Sequence, residues 1–471
     1  MEDDNGKKLH IVMLPWPAFG HLLPFLELSK RLAGKGHRIS FISTPKNLQR
    51  LPPQLSPLIN FVAFPSPSIE NLPSGAEATI DLPHANLLPY LFEAFDASEE
   101  SLCKLLDDPS HPPVDWLVYD FAAYWAPRVA AKFNLPCAFF SIFTVAELGF
   151  LGSPKEMVGK GDREMSAEGF TVVPKWVPFP STVAYRLHEA RKTLILEPRS
   201  VPEGSRSNVG FRFSASVEGC DFVAVRSCME FDPDWLQLIR KLYSKPVVAA
   251  GMLPQLGGEE EEAASGKSWE SALKWLDLQE AKSVVYAAFG SEAKLTVEQV
   301  GEIALGLESS GLKFIWTLRA DGLPRGFEER TKDRGMVWMG WIPQTKFLAH
   351  SSVGGFLTHC GSSSIVEGLS FGLVMVALPM VFTQGLNARY VVDKKIGVEV
   401  PRNEEDGTFT GRGIADSLKL AMLEEEGKDF RAKANECKGI VGNEEIQDRC
   451  LDDLVKFLWD HSHKKASTAS V

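Results

Sequence analysis

No stretch of this sequence stays apolar for the roughly 18 residues that a membrane-crossing helix needs. The longest candidate, Ala138 to Gly152, is interrupted by Glu147, so no integral membrane segment is expected. Positive charge is not in excess either. Against 50 Lys and Arg stand 61 Asp and Glu, a formal net charge of −11, which argues against nucleic acid and anionic membranes as partners. Cysteine is sparse, at seven, an odd number with neither paired short spacings nor zinc-type spacing. That pattern fits reduced thiols, and the expected compartment is the cytoplasm. The acidic opening MEDDNGKK runs straight into a strand, so a secretory signal is not expected. No GxGxxG follows the first strand, which counts against an epimerase working through a bound dinucleotide.

What is present is ordinary globular composition, 44% hydrophobic and 24% charged, over 471 residues. That length exceeds one core and predicts two domains. Apolar strands are expected at His10 to Leu14, Ile39 to Ser43, Ile59 to Phe64, Asp115 to Tyr119, Cys137 to Ile142, Phe222 to Arg226 and Pro246 to Ala250. Helical segments between them include Leu91 to Leu106 and Ala123 to Phe133. The Gly-, Glu- and Ser-rich stretch after Leu253 reads as a linker. A second series of strands and helices then starts at Val284. The expected organisation is an α/β domain over 1–250, a linker over 251–270, a second α/β domain over 271–442, a helix over 443–460 and a frayed tail over 461–471. Alternating strands and helices imply mostly parallel sheets, whose ligands bind beyond the carboxyl ends of the strands.

The densest chemistry lies between Trp341 and Gln384. Gly355 to Leu357 reads as a buried strand that ends in His359-Cys360-Gly361, followed by Ser362, Ser363, Ser364 and a helix. A glycine turn opening a serine-rich helix start collects free N–H groups, the positive end of the helix dipole and hydroxyl donors at one spot. His359 adds a donor for a phosphate oxygen. Glu367, near Ser363 and Ser364 on the same face, is placed to accept the hydroxyls of a ribose, and Trp341 offers a face for base stacking. The same residues also read as an ordinary helix cap with a packing tryptophan.

This stretch resembles the signature box of plant UDP-dependent glycosyltransferases. Trp341, Pro343-Gln344, His350, Phe356, His359-Cys360-Gly361, Ser364, Glu367, Gly372, Pro379 and Gln384 fall at the family's spacing. The resemblance implies two facing Rossmann-like domains of the GT-B type, with the active site in the cleft between them. The first domain would bind the acceptor and the second the UDP-sugar, and the 443–460 helix would pack back on the first. It also implies a donor set of Ser291, Trp341, Ile342, Gln344, His359, Gly361, Ser362, Ser363, Ser364, Glu367, Thr383 and Gln384. The chain departs from the family pattern at Ser362-Ser363, where Trp-Asn is usual, and at Thr383, where an acidic residue usually precedes the final Gln. These departures leave the sugar open among glucose, rhamnose and a pentose such as xylose.

Glycosyl transfer to a hydroxyl needs a base and a means of stabilising the departing diphosphate. His21, after the first strand and at the mouth of a helix, is the candidate base, since the helix dipole there disfavours an imidazolium. Asp120 closes the strand before it and is placed to hold one imidazole nitrogen, as in an Asp–His pair. The structural alternatives are a capping or buried His21 and an Asp120 that caps a helix over Phe121 to Val129. The resemblance assigns both residues to catalysis, by single displacement with inversion at the anomeric carbon. UDP-sugar then enters as a co-substrate, and neither a cofactor nor a metal is expected. Asp232-Pro233-Asp234 is a literal DxD but fits a capped turn. Trp16, Phe19, Phe121, Trp125, Phe143 and Phe382, near strand ends, are expected to line an acceptor pocket or to be core. The overall pattern resembles the branch that extends sugar chains on flavonoid, diterpenoid or steroidal glycosides. The alternative of another class is a protein that binds a nucleotide or metabolite without transferring anything.

Overall fold

The apolar runs of the sequence form strands whose two faces are both covered, which is why they read as near-continuous Val, Ile, Leu and Phe. The structure, a computed structural model, describes residues 8–52, 56–196, 208–255, 269–340 and 342–462. Its first sheet contains β1 (His10–Leu14), β2 (Arg38–Ser43), β3 (Ile59–Ala63), β4 (Trp116–Tyr119), β5 (Cys137–Ser141), β6 (Phe222–Val225) and β7 (Val247–Ala249), in the order β3-β2-β1-β4-β5-β6-β7. The second contains β8 (Val284–Ala288), β9 (Lys313–Leu318), β10 (Gly335–Met339), β11 (Val353–Thr358), β12 (Val374–Ala377) and β13 (Gly397–Glu399), in the order β10-β9-β8-β11-β12-β13. Every pairing within both sheets is parallel. Each is therefore a doubly wound, Rossmann-like arrangement with crossover helices.

The chain divides into two compact units. The first comprises Met1–Arg163, Ile195–Leu253 and Glu444–Val471, and the second Glu164–Leu194 and Pro254–Asn443. Segment Glu164–Leu194 lies inside the 1–250 span expected for the first domain, yet it belongs to the second unit. Polar anchors account for this. Asp393 accepts bonds from Ser181 Oγ (2.8 Å), Thr182 N–H (2.7 Å) and Thr182 Oγ1. Arg186 pairs with Glu399 at 3.1 Å, and buried Arg389 pairs with both Glu189 and Glu399 while donating to the Ala184 carbonyl.

The helix Glu444–Ser462 belongs to the first unit. Its Leu451, Leu454 and Leu458 are buried in the core beneath β1 and β4. Trp116 Nε1 donates to the Leu458 carbonyl at 3.0 Å, and Gln447 Oε1 accepts the Met252 N–H at 2.7 Å. The start of the expected 251–270 linker is likewise held, by Arg226 on the carbonyls of Met252 and Leu253. Residues 256–268 of that linker and 463–471 of the expected tail lie outside the described residues.

Two helices differ from expectation. Leu91 to Leu106 is split into Leu88–Asp96 and Ser98–Asp107. The segment expected to be helical from Ala123 begins only at Ala126, with Pro127 in its first turn. Among the described residues no helix is long and apolar enough to cross a membrane. The apolar run Ala138 to Gly152 is instead strand β5, a turn, and the helix Val145–Leu151, with Glu147 closing a capping box on Thr144.

Candidate functional site

Each sheet has one place where neighbouring strands send their crossovers in opposite directions, which opens a crevice at the carboxyl ends. In the first sheet this lies between β1 and β4, and in the second between β8 and β11. His21 and Asp120 stand at the first of these points, and Ser291, His359, Gly361 and the serines after it at the second.

In the first unit Leu14 pairs with Tyr119, so the chain leaves β1 and β4 side by side, with Asp120 beside the Trp16 loop. Asp120 is fully buried, and its carboxylate is surrounded by donors. The Trp16 N–H reaches Oδ2 at 3.1 Å, the Phe121 N–H reaches Oδ1 at 2.7 Å, and His21 Nδ1 lies 2.7 Å from Oδ2. A carboxylate only accepts, so Nδ1 carries a proton, and in the neutral ring Nε2 is the nitrogen with a free lone pair. Both capping alternatives fail. The helix Phe19–Gly34 has Ala18 at its N-cap, ahead of His21, and no side chain caps it. The helix after Asp120 starts at Ala126 with Trp125 at its N-cap.

Aromatic rings surround the imidazole. Phe121 and Phe143 lie 5.5 and 5.4 Å from the His21 ring, centroid to centroid. Trp16 is buried against Phe92, Phe95 and Phe121. Phe19 opens the His21 helix and is half-buried. Trp125 is a correction. It is 1% exposed, and its indole N–H donates to Asp96 at 3.1 Å, so it is a core residue that cannot reach a ligand. Phe213 was missed by the sequence reading, although it stacks on Phe121 at 4.8 Å and meets Phe143 at 5.0 Å. It sits on a helix far from any strand end, the only signal used to select ring residues.

In the second unit Thr358 pairs with both Ala288 and Ala377, which sets Phe289-Gly290-Ser291 beside His359-Cys360-Gly361. The helix Ser362–Ser370 opens on an extended Gly361 with no side chain capping it. The His359 ring is wedged between two glycines, and a Cβ would fall 2.6 Å from Nε2 if built on Gly290 and 2.8 Å if built on Gly361. Burial pulls the pKa of His359 down to about 4, and its Nδ1 has no hydrogen-bond partner. Ser364 and Glu367 are buried, and Gln344 Nε2 donates to Glu367 Oε2 at 2.6 Å. Asn387 Nδ2 donates to the Cys360 carbonyl at 3.0 Å, which fixes the glycine turn, where Cys360 itself has φ +61°.

Gln384 Oε1 accepts the N–H groups of Met380 and Val381 at 2.9 and 3.0 Å. Thr383 is the N-cap of Gln384–Asp393 and makes no side-chain cap bond. Phe382, with φ +54°, belongs to the second unit and is 41% exposed. The Ile342 side chain is buried in a core with Trp269, Phe347 and Phe356, so the residue meets a donor only through its backbone. His350 bonds Ser352 and Asp277 at 2.8 and 3.1 Å, so its place in the signature is structural. Trp341 lies outside the described residues. Asp232 of the DxD is buried and accepts from Ser227 Oγ at 2.8 Å, ahead of a helix that opens on Pro233. Among the described residues no three His, Cys, Asp or Glu side chains gather as metal ligands.

Known proteins resemble this chain in both sequence and fold. The family described as UDP-glucoronosyl and UDP-glucosyl transferase matches residues 262–430. UDP-glycosyltransferase 91C1 of Arabidopsis thaliana is 45% identical over 97% of this chain and 98% of its own length. The soyasaponin III rhamnosyltransferase of Glycine max is 39% identical over 98% of both chains. Among solved structures, Arabidopsis thaliana UGT89C1 complexed with UDP-L-rhamnose superposes with a TM-score of 0.75 at 26% identity, covering 96% of this chain and 100% of that one.

Proposed function

This chain belongs to the UDP-glycosyltransferase family, and on that premise we propose that His21 and Asp120 are its catalytic pair and that it works by inversion. The observation that carries the assignment is the 2.7 Å contact between His21 Nδ1 and an Asp120 carboxylate already fixed by two backbone N–H groups. Nε2 accepts the proton of an acceptor hydroxyl as that oxygen forms its bond to the anomeric carbon. The bond from that carbon to the β-phosphate oxygen breaks, and its electron pair leaves with UDP. Asp120 stabilises the imidazolium until the proton passes to water.

The leaving diphosphate is met by the amide-rich start of Ser362–Ser370, the serine hydroxyls, Ser291 and His359. Glu367, oriented by Gln344, takes the ribose hydroxyls. Charge neutralised by peptide dipoles calls for no cation, and none is assigned. The donor sugar is glucose, rhamnose or a pentose such as xylose, because Thr383 offers a sugar hydroxyl a neutral contact where the family usually brings a carboxylate. The full-length likeness to a rhamnosyltransferase acting on a saponin supports a plant glycoside as acceptor, with transfer to one of its sugar hydroxyls. The seven cysteines, six of them buried and none in a disulfide, suit a cytosolic enzyme.

The test is a panel of UDP-sugars (glucose, rhamnose, xylose, galactose, glucuronate) against plant glycosides, read by product mass, with His21→Ala alongside. Turnover should vanish in the variant while UDP affinity stays within about twofold, since the base touches the acceptor. Loss of UDP binding would contradict the assignment, as would retained turnover.

A further inference from the structure

The helix Val209–Gly219 contributes nothing to the His21–Asp120 contact, yet it grips the backbone that aims it. Ser216 Oγ donates to the Phe121 carbonyl at 3.0 Å, and Arg212 Nη1 donates to the Ala122 carbonyl at 2.6 Å. Tyr119 OH, at the end of β4, donates back to the Ser216 carbonyl at 2.7 Å. Phe213 of the same helix stacks on the Phe121 ring. The strap from Tyr119 to Ala122 is thus held at three carbonyl or hydroxyl contacts and one ring face. The Phe121 N–H, which fixes Asp120 Oδ1, belongs to that strap.

Arg212 is the unusual member. It is 1% exposed, and its fork meets Asp96 through Nη1 at 2.8 Å and Nη2 at 2.7 Å. Its flat face covers the rings of Phe92 and Tyr124 at 4.2 and 4.9 Å. A buried ion pair stabilises a fold no better than apolar packing of the same volume does. Its specific contribution is direction, because a planar guanidinium locked by a carboxylate and two rings can point the second hydrogen of Nη1 only one way. Here that way is the Ala122 carbonyl.

We propose that Arg212 is a positioning residue for the reaction, holding the 121–122 backbone so that Asp120 presents Oδ2 to His21. The inference rests on the catalytic assignment of His21 and Asp120 made above. If the strap turns, the Phe121 N–H leaves Oδ1, the carboxylate rotates, and the imidazole loses both its fixed tautomer and its counter-charge. The nucleotide contacts of the second unit are untouched by such a change.

The experiment compares Arg212→Met, Arg212→Lys, Ser216→Ala and Asp120→Asn with the natural protein. It measures kcat, acceptor KM, UDP Kd, Tm and the pH dependence of kcat/KM. Arg212→Met should lower kcat by about ten- to a hundredfold, the scale of a misplacement of about 1 Å, with UDP Kd unchanged. The acid limb of the profile should move to lower pH, because a misaligned carboxylate no longer favours the charged imidazole. Arg212→Lys, which keeps the charge without the fork, should recover part of the rate. Ser216→Ala should move kcat and limb the same way by less, and it serves if Arg212→Met fails to fold. An unchanged acid limb and unchanged kcat per folded molecule in the Arg212 and Ser216 variants would overturn the inference, whatever happens to Tm. If Asp120→Asn also leaves kcat and the limb in place, the catalytic assignment itself falls. If Asp120→Asn shifts both and the other variants shift neither, only the role of Arg212 is lost.

Discussion

The ring of His359 lies flush against Gly290, so closely that a methyl group on that glycine would sit 2.6 Å from Nε2. Contacts that short between a Cβ and a ring atom do not persist, and either the ring or the turn must yield. Gly361 closes the other side at 2.8 Å. The two glycines set the position of the histidine as firmly as any hydrogen bond.

Gly361→Ala separates this steric effect from backbone strain, since Gly361 is extended with φ −62°. The displaced ring should weaken UDP binding by about tenfold, the loss of one hydrogen bond to a charged group, with little change in Tm. Gly290→Ala should weaken binding similarly and also lower stability by about 1 kcal/mol, because Gly290 has φ +72°. Calorimetric titration with UDP and thermal melts check both. Unchanged affinity in both variants would remove His359 from the nucleotide site.

Thr383→Asp tests donor choice. The threonine stands at the N-cap of the Gln384–Asp393 helix with no side-chain cap bond, and a carboxylate there gains from the helix dipole, so the variant should fold. A charge-assisted bond to a sugar hydroxyl should raise the kcat/KM ratio of UDP-glucose over UDP-rhamnose by about tenfold. If the ratio stays put, Thr383 has no part in selecting the sugar.

Arg389→Ala addresses the anchoring of the 164–194 segment. Arg389 is buried between Glu189 and Glu399, and burial already raises the pKa of Glu189 above the ordinary carboxylate range. Removing the guanidinium leaves Glu189 buried without it and Glu399 with Arg186 alone, which costs about 3–5 kcal/mol. Urea midpoints give the value. A loss below about 1 kcal/mol would mean that the cluster is solvated rather than sealed.

Stability should also fall on mild acidification. Burial lowers the pKa of His10 and His37 from 6.5, and takes His359, and His188 with help from Arg402, to about 4. Once unfolded, these imidazoles take up protons near pH 6.5; folded, all four do so at lower pH, His359 and His188 only near pH 4. The unfolded state therefore binds more protons across that window, and stability rises with pH from about 4 to 6.5 and levels off above it. Glu189, with its raised pKa, opposes the trend as a single group. Urea midpoints at pH 5 and pH 7.5 that coincide would show these histidines to be hydrated.

The sequence made the sheets legible because strands covered on both faces appear as unbroken apolar runs, such as HIVML and VVYAA. It also made His21, Asp120 and His359 legible, because each stands where such a run ends. It did not reveal Phe213 or Arg212, which reach the strap from a helix with no local chemical signal. Trp125 was grouped with ligand-facing rings because proximity to a strand end along the chain says nothing about which way an indole turns, and Asp96 turns it inward. The late start of the helix at Ala126 has the same origin. The residues before it are held as a strap by contacts from distant parts of the chain, and no propensity encodes them. The attachment of Glu164–Leu194 to the second unit likewise depends on partners some two hundred positions away, such as Arg389 and Asp393.

The helix Glu444–Ser462 fills a groove lined by some of the earliest strands to be made. On the ribosome those strands emerge long before the helix does, and the second sheet is synthesised in between. A nascent chain therefore carries an open apolar slot under β1 and β4 until residues 444–462 have been made, with the Trp116 indole and the Met252 amide awaiting their partners. Premature termination anywhere ahead of Glu444 leaves the unit that carries His21 unfinished, however much of it has already been translated.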